Sequence, residues 1–325
     1  MDKSIDKPLI TFILFAYNHE KYIREAVEGA LAQIYSPLEI ILSDDCSTDK
    51  TFKIIQNIAN SYTGQHQLII NRNEKNLGLA EHVNKLFDIA KGEIIVLSAG
   101  DDISLPHRVF YSQMAFENNP ELKFVDVEKM LIDENGCLKN QTFTIHSNVC
   151  QTMVNLDDYM LPEKSFRFNG AGRALHSSVV KDFGPLLKDT PTEDTTYLLR
   201  SLMTGDGMIL NIPGVLYRQH GANLSGDDSL PYISIDNIYN QYIVDINKAL
   251  SSSLITQNIH TQIINRIEKS IERRRIYNGL YFAENKVIYT VLKILPSPLI
   301  SINDKINLFK RIPENLFKKL KKALT

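Results

Sequence analysis

The sequence has no tryptophan, three cysteines and a formal net charge of only -2 over 325 residues. Cys46, Cys137 and Cys150 are widely spaced and show no paired metal-ligand spacing, which argues against a disulfide framework and suits a reducing compartment. The near-balance of charge removes the usual sign of a nucleic-acid partner. No apolar run reaches the roughly 20 residues that a membrane-spanning helix needs. Residues 1–8 are polar and charged, without the apolar core of a secretory signal. The expectation is a cytoplasmic protein, with any membrane contact peripheral and at the inner face. Two phosphate signatures are also missing. No GxGxxG follows the first apolar run and no GxxxxGK[ST] occurs, which argues against dinucleotide oxidoreductases and P-loop enzymes.

What is present is an ordinary soluble composition, 43% hydrophobic and 23% charged, in a chain long enough for one large domain with an appendage. Largely apolar runs at Leu9–Phe15, Leu38–Leu42, Leu68–Ile70 and Ile94–Leu97 read as buried strands. Between them, Ile23, Ala26, Val27 and Ala30, then Phe52, Ile55, Ile58 and Ala59, then Leu79, Val83, Leu86 and Phe87 recur at helical spacing. Asn18 is placed to cap the first of these helices. The alternation predicts a doubly wound α/β sheet, mostly parallel and flanked by helices. In such a sheet the carboxyl ends of the strands share one edge, so Tyr17, Asp44, Asp45, Asp101 and Asp102 should converge.

Asp101 and Asp102 stand out. They follow a buried strand after two small residues, Ala99 and Gly100, and two carboxylates side by side repel unless a divalent cation or a hydrogen-bonding sugar stabilises them. Capping a helix that opens near Ser104, Leu105 and Pro106 is the alternative use for such a pair.

Further along, Arg108–Glu117 reads as a helix, Leu122–Val127 as a strand and Asp133–Gly136 as a hairpin turn. Residues 140–190 carry little pattern. Glu193 and Asp194 open a helix over Tyr197–Met203, Met208–Ile212 reads as a short strand, and Tyr217-Arg218-Gln219-His220 follows. After Asp228 the composition changes to long amphipathic helices over Ile235–Leu250 and Ile255–Ala283. The chain ends in a basic amphipathic segment, Lys305–Lys322, suited to an anionic bilayer, to its own core or to a second subunit in a homodimer.

Four stretches in order resemble family 2 glycosyltransferases of the GT-A fold: Leu9–Asn18, Glu39–Thr51, Asn73–Gly78 and Gly92–Asp102. The resemblance covers about residues 8–225. It implies a glycosyltransferase domain over 1–228, with a nucleotide-binding half at about 8–103 and an acceptor half at about 104–228, and a helical extension over 229–325. It further implies an inverting, Mn²⁺- or Mg²⁺-dependent hexosyltransferase that moves a sugar from a nucleotide diphosphate donor to an acceptor hydroxyl. The acceptor would be a saccharide or a lipid-linked saccharide in surface polysaccharide synthesis, such as O-antigen or capsule. Carried onto this chain, Ala16, Tyr17 and Asn18 line the nucleotide site, and one of Asp44 and Asp45 accepts the pyrimidine N–H. An aspartate there suits uracil or thymine, hence a UDP- or dTDP-linked sugar. Asn76 and Gly78 brace the base and ribose, Asp101 meets the ribose or donor sugar, and Asp102, with His220, ligates the metal. Arg218 offsets diphosphate charge. Asp194, or its neighbour Glu193, is the catalytic base. Ala99 stands where many relatives carry another aspartate. A sugar-1-phosphate nucleotidyltransferase and a non-catalytic sugar-nucleotide-binding subunit are the competing readings.

Overall fold

A computed structural model describes residues 7–139, 151–161, 164, 166–221, 223 and 232–281. Cys150, Leu224, Ser225 and the basic tail over 305–322 lie outside them. The chain divides into two compact units, Met1–Gly221 and Ala222–Thr325.

The first unit is built on a sheet of nine strands. It opens with β1 (Ile10–Ala16), α1 (Ile23–Leu31), β2 (Leu38–Asp44), α2 (Thr51–Ser61), β3 (Gln67–Arg72), α3 (Leu79–Ile89) and β4 (Ile94–Ala99). Strands β3, β2, β1 and β4 lie side by side in that order, all parallel. Parallel strands covered by helices on both faces are largely apolar on both faces, and so are β1 and β2, where the buried polar Thr11 and Glu39 bond to each other at 2.8 Å. Phe12 and Leu14 of β1 pack with Ala26 and Val27 of α1 and Ile55 of α2, while Ile13 packs with Ala80, Val83 and Leu86 of α3.

The rest of the unit comprises β5 (Ile103–Ser104), α4 (Arg108–Asn118), β6 (Leu122–Ile132), β7 (Gln151–Val154), α5 (Leu156–Met160), a 3₁₀ turn at Gly170–Gly172, β8 (Arg173–His176), α6 (Ser178–Lys181), α7 (Asp194–Thr204) and β9 (Asp206–Arg218). The sheet order is completed as β4-β8-β6-β9-β5, with β7 added on β9. β8 is antiparallel to both β4 and β6. β9 is much longer than the short strand expected at Met208–Ile212, and it carries Tyr217 and Arg218 within it. Its register against β6 shifts between Val127 and Lys129, and these irregularities interrupt the clean alternation that marks a strand in a sequence.

Asn18 does not cap α1. The residue at the cap position is Tyr22, with no side-chain cap bond. Asn18 instead adopts φ 56° and its Oδ1 accepts from Thr48 N at 2.9 Å.

In the second unit, α8 (Ile235–Ser251) is capped by Ser234, whose hydroxyl accepts from Asn237 N at 3.3 Å. It packs on α9 (Gln257–Tyr281). Ile238, Ile246 and Ala249 of α8 are buried, as are Ile263, Ile267 and Ile271 of α9, which recur at intervals of one helical turn. Among the described residues, no helix is long and apolar enough to cross a membrane.

Candidate active site

The parallel strands bring their carboxyl ends to one edge. Ala16 pairs with Asp44 in register and Phe15 with Ala99. Beyond the strands, Asp45 N donates to Ala16 O and Gly100 N to Phe15 O, each at 2.9 Å. The loops after β1, β2 and β4 therefore leave the sheet together.

The first two loops are stitched by side-chain to main-chain bonds. Asn18 N donates to Ser47 Oγ at 2.8 Å, His19 N to Thr51 Oγ1 at 2.8 Å and Glu20 N to Asp49 Oδ2 at 3.0 Å. Tyr17 is left exposed at the rim. The two aspartates after β2 play different parts. Asp45 is buried, and both its oxygens are engaged: Oδ1 accepts from Asn73 Nδ2 at 2.7 Å and Leu77 N at 2.9 Å, and Oδ2 from Gly78 N at 2.9 Å. Asn76 Oδ1 accepts from the same Gly78 N at 2.9 Å, and Gly78 sits at φ 79°, where a side chain would be strained. Asp45 thus pins the loop 73–78 to the end of β2. Asp44 accepts from Ser47 N at 3.0 Å through Oδ2 and pairs there with Arg72 Nε at 3.4 Å, while its buried Oδ1 has no partner among the described residues.

Losing the three bonds of Asp45 leaves the Leu77 N–H and the Asn73 amide without that acceptor, while Gly78 N keeps only Asn76 Oδ1. Asp45→Ala is expected to lower stability by about 2 kcal/mol and to weaken nucleotide binding, checked by thermal denaturation and by titration of the donor nucleotide.

At the end of β4, Asp102 is buried and its Oδ1 accepts from Arg218 N of β9 at 2.9 Å. It does not cap α4, whose cap position is His107. His220 Nε2 lies 3.0 Å from Asp101 Oδ2, and the His220 ring stacks on Tyr22 at 4.8 Å. His19, whose Nδ1 is buried without a partner among the described residues, feels the charges of both Asp101 and His220. Gly100 is required here, since a Cβ would stand 2.8 Å from His19 Nδ1. Arg218, expected to face the diphosphate, is almost wholly buried. Its Nε donates to Asp101 O at 3.0 Å, one terminal nitrogen donates to Glu134 O at 3.2 Å, and the other pairs with Glu25 of α1. Its guanidinium lies 4.9 Å from the Tyr22 ring centroid. It clasps β9, α1 and the turn after β6 around Asp101.

Burial, together with the negative charge of Asp101, pushes the Asp102 carboxyl up to about 8, against the Arg218 N–H and the charges of Arg108 and Lys129. Two adjacent carboxyls, one of them held protonated by burial and by the charge of the other, fit a divalent cation. Among the described residues, no group of three or more His, Cys, Asp or Glu side chains could hold an ion unaided. The remaining oxygens would have to come from a bound diphosphate or from water.

Glu193 and Asp194 stand at the start of α7. Glu193 makes no capping bond, and Asp194 Oδ1 accepts from the adjacent Thr195 N at 2.7 Å. Burial and the charge of Asp194 push Glu193 up to about 7. His176 pairs with Ile94 at the opposite, amino end of β4, away from these loops. Sequence reasoning passed over His19, Arg108, Asp126 and Arg173. For His19, adjacency to Asn18 at the end of β1 was the available signal.

Residues 11–143 match the family model described as glycosyl transferase family 2. Over 130 residues it is 35% identical to the putative glycosyltransferase EpsE of Bacillus subtilis, covering 40% of this chain and 46% of that protein. An uncharacterized glycosyltransferase of Haemophilus influenzae is 25% identical over 310 residues, covering 89% of this chain and 90% of the other. The Escherichia coli UDP-Glc:alpha-D-GlcNAc-diphosphoundecaprenol beta-1,3-glucosyltransferase WfaP is 31% identical, covering 42% and 49%. The family 2 match thus spans about half the length of EpsE and WfaP. Among solved structures, S. aureus TarS 1-349 in complex with UDP-GlcNAc aligns with TM-score 0.64 at 17% identity over 88% of this chain and 79% of that one. The Pyrobaculum calidifontis mannosyltransferase PcManGT, in complex with GDP-Man and Mn²⁺, aligns with TM-score 0.57 at 15% identity over 97% and 84%. The fold is GT-A.

Proposed function

We propose that this chain is an inverting, metal-dependent glycosyltransferase that moves a hexosyl group from a UDP- or dTDP-linked sugar to an acceptor hydroxyl in surface polysaccharide synthesis. The observation that carries this reading is the shared edge of β2, β1 and β4, where a buried, unpartnered carboxylate oxygen of Asp44 and the adjacent carboxyls of Asp101 and Asp102 belong to adjoining loops. Asp44 Oδ1 takes the base N–H, a donor present at N3 of uracil and thymine. Ala16, Tyr17 and Asn18 flank the nucleoside, and the loop of Asn76 and Gly78 braces it. Asp101 holds the ribose or the donor sugar. Asp102, with His220, would hold Mn²⁺ or Mg²⁺, which when bound neutralises the departing diphosphate. Arg218 keeps Asp101 and Asp102 in place.

Asp194 takes the proton of the acceptor hydroxyl as its oxygen bonds to the anomeric carbon, and the nucleoside diphosphate leaves from the opposite face with the electron pair of the broken bond. Glu193 shares that negative site. The WfaP name specifies a diphosphoundecaprenol-linked acceptor, which favours a lipid-linked saccharide here as well and gives the basic tail over 305–322 a membrane surface to meet.

The test is calorimetric titration of UDP, dTDP and GDP, with and without Mn²⁺, followed by release of nucleoside diphosphate from the matching sugar donors. Binding of UDP or dTDP that strengthens with Mn²⁺ is expected. Tight GDP binding with neither pyrimidine nucleotide bound would overturn the donor assignment.

A further inference from the structure

Three buried polar groups lie behind the carboxylates of α7, and the transfer chemistry above does not use them. Asp126 of β6 and Arg173 of β8 form a forked ion pair inside the sheet, with Arg173 Nε donating to Asp126 Oδ1 at 2.8 Å and Nη2 to Oδ2 at 2.7 Å. Both side chains are almost fully buried. The third arm, Nη1, donates to the main-chain carbonyl of Asp194 at 2.5 Å. Asp126 Oδ2 also accepts from Asn169 N at 2.9 Å, and Asn169 Nδ2 donates to Val127 O at 2.6 Å. The next residue, Gly170, lies so close that a Cβ would stand 2.6 Å from Asp194 Oδ2. The pair therefore fixes Asp194 twice, through its carbonyl and through the backbone wall beside its carboxylate.

The same assembly reaches the other acidic loop. Arg108 Nη2 donates to Arg173 O at 3.3 Å and to Leu97 O at 2.7 Å, and Arg108 Nη1 donates to Ser104 Oγ at 2.9 Å. Leu97 and Ser104 bracket Asp101 and Asp102 in the chain. Stability alone is a weak reason for this arrangement, because a well-packed apolar pair often stabilises a core as well as a buried salt bridge does. A planar five-donor fork that reaches a carboxylate and a carbonyl at once does something an apolar pair cannot.

We propose that the Asp126–Arg173 pair is the positioning device for the acceptor-activating carboxylate, holding the start of α7 at a fixed distance from the donor-binding loop. This rests on the reading of Asp194 as the base. Arg173 touches no reacting atom; it acts through Asp194.

The test uses the full chain and two variants. Arg173→Lys keeps the charge but loses the fork. Asp126→Leu combined with Arg173→Met replaces the pair by apolar groups, and Arg108 keeps its bonds to Ser104 Oγ and to the carbonyls of residues 97 and 173. In both, kcat for sugar transfer is expected to fall roughly 10- to 100-fold, while the donor KM and the calorimetric donor affinity stay within about twofold of wild type. A folded variant with wild-type kcat overturns the inference. So does a loss in which donor KM, kcat and melting temperature all worsen together, since that is the mark of general damage. Should the double variant melt early, Arg173→Lys decides alone by the same split. A wild-type chain without transfer activity overturns the proposed function and this inference with it, whereas an active wild type with unaffected variants overturns the inference only.

Discussion

Asp194→Asn is expected to lower turnover by roughly 10²- to 10⁴-fold, the range that a positioned general base contributes, with donor affinity unchanged. The substitution preserves shape, and the bond from Thr195 N to Oδ1 survives because an amide oxygen still accepts. What disappears is the capacity to take a proton. The neighbouring carboxyl gives a second readout. Glu193 is pushed up to about 7 by burial first and by the Asp194 charge second. Should Glu193 rather than Asp194 take the proton, kcat/KM in the wild type would fall as pH drops through about 7. In Asp194→Asn the charge that raises Glu193 is gone, so any residual activity should hold to lower pH. Stability moves in a related way. The folded protein holds a proton on Glu193 between its ordinary value and about 7 that the unfolded chain has released, so stability declines as pH rises across that window. Glu193→Gln should therefore melt higher than wild type at pH 8 and show no such gain at pH 4. Wild-type turnover in Asp194→Asn would remove this residue from the mechanism.

The nucleotide-side half of the fold was legible because its physics is local. An apolar run bounded by Pro37 or Gly92 and followed by a helical period can hardly be anything but a buried strand and its covering helix, and β1 to β4 lie where the runs are. β8 was not legible. Arg173–His176 is four residues long, opens on a charge, and is a strand only because β4 and β6 supply its bonds from either side. The acidic strand ends were readable for the same reason as the strands, since parallel topology alone gathers them. Their supports were not. Nothing in the chain pairs Asp126 with Arg173 at 47 residues' separation, or turns Arg218 inward to Glu25 of α1. The Asn18 cap failed because a left-handed residue at the end of β1 found a better partner across the edge, in Thr48. Local propensity loses where a tertiary bond of equal strength is available.

Asp102→Asn is expected to separate activity from stability. In the folded chain Asp102 is buried beside a second carboxylate, and burial together with that like charge opposes its ionisation. The neutral isostere keeps the bond from Arg218 N to Oδ1 and relieves the repulsion, so melting temperature should hold or rise. The same change removes the charge proposed to hold the cation. A bound metal is worth several kcal/mol of charge stabilisation on a leaving diphosphate, so transfer should fall by at least about 10²-fold. The gain in donor affinity on adding Mn²⁺ should disappear with it. A destabilising mutation would lower both properties, and a mutation at an idle surface would lower neither. Full activity with unaltered Mn²⁺ dependence in Asp102→Asn would mean that the carboxylate pair serves the fold alone and that the cation, if the reaction uses one, sits elsewhere.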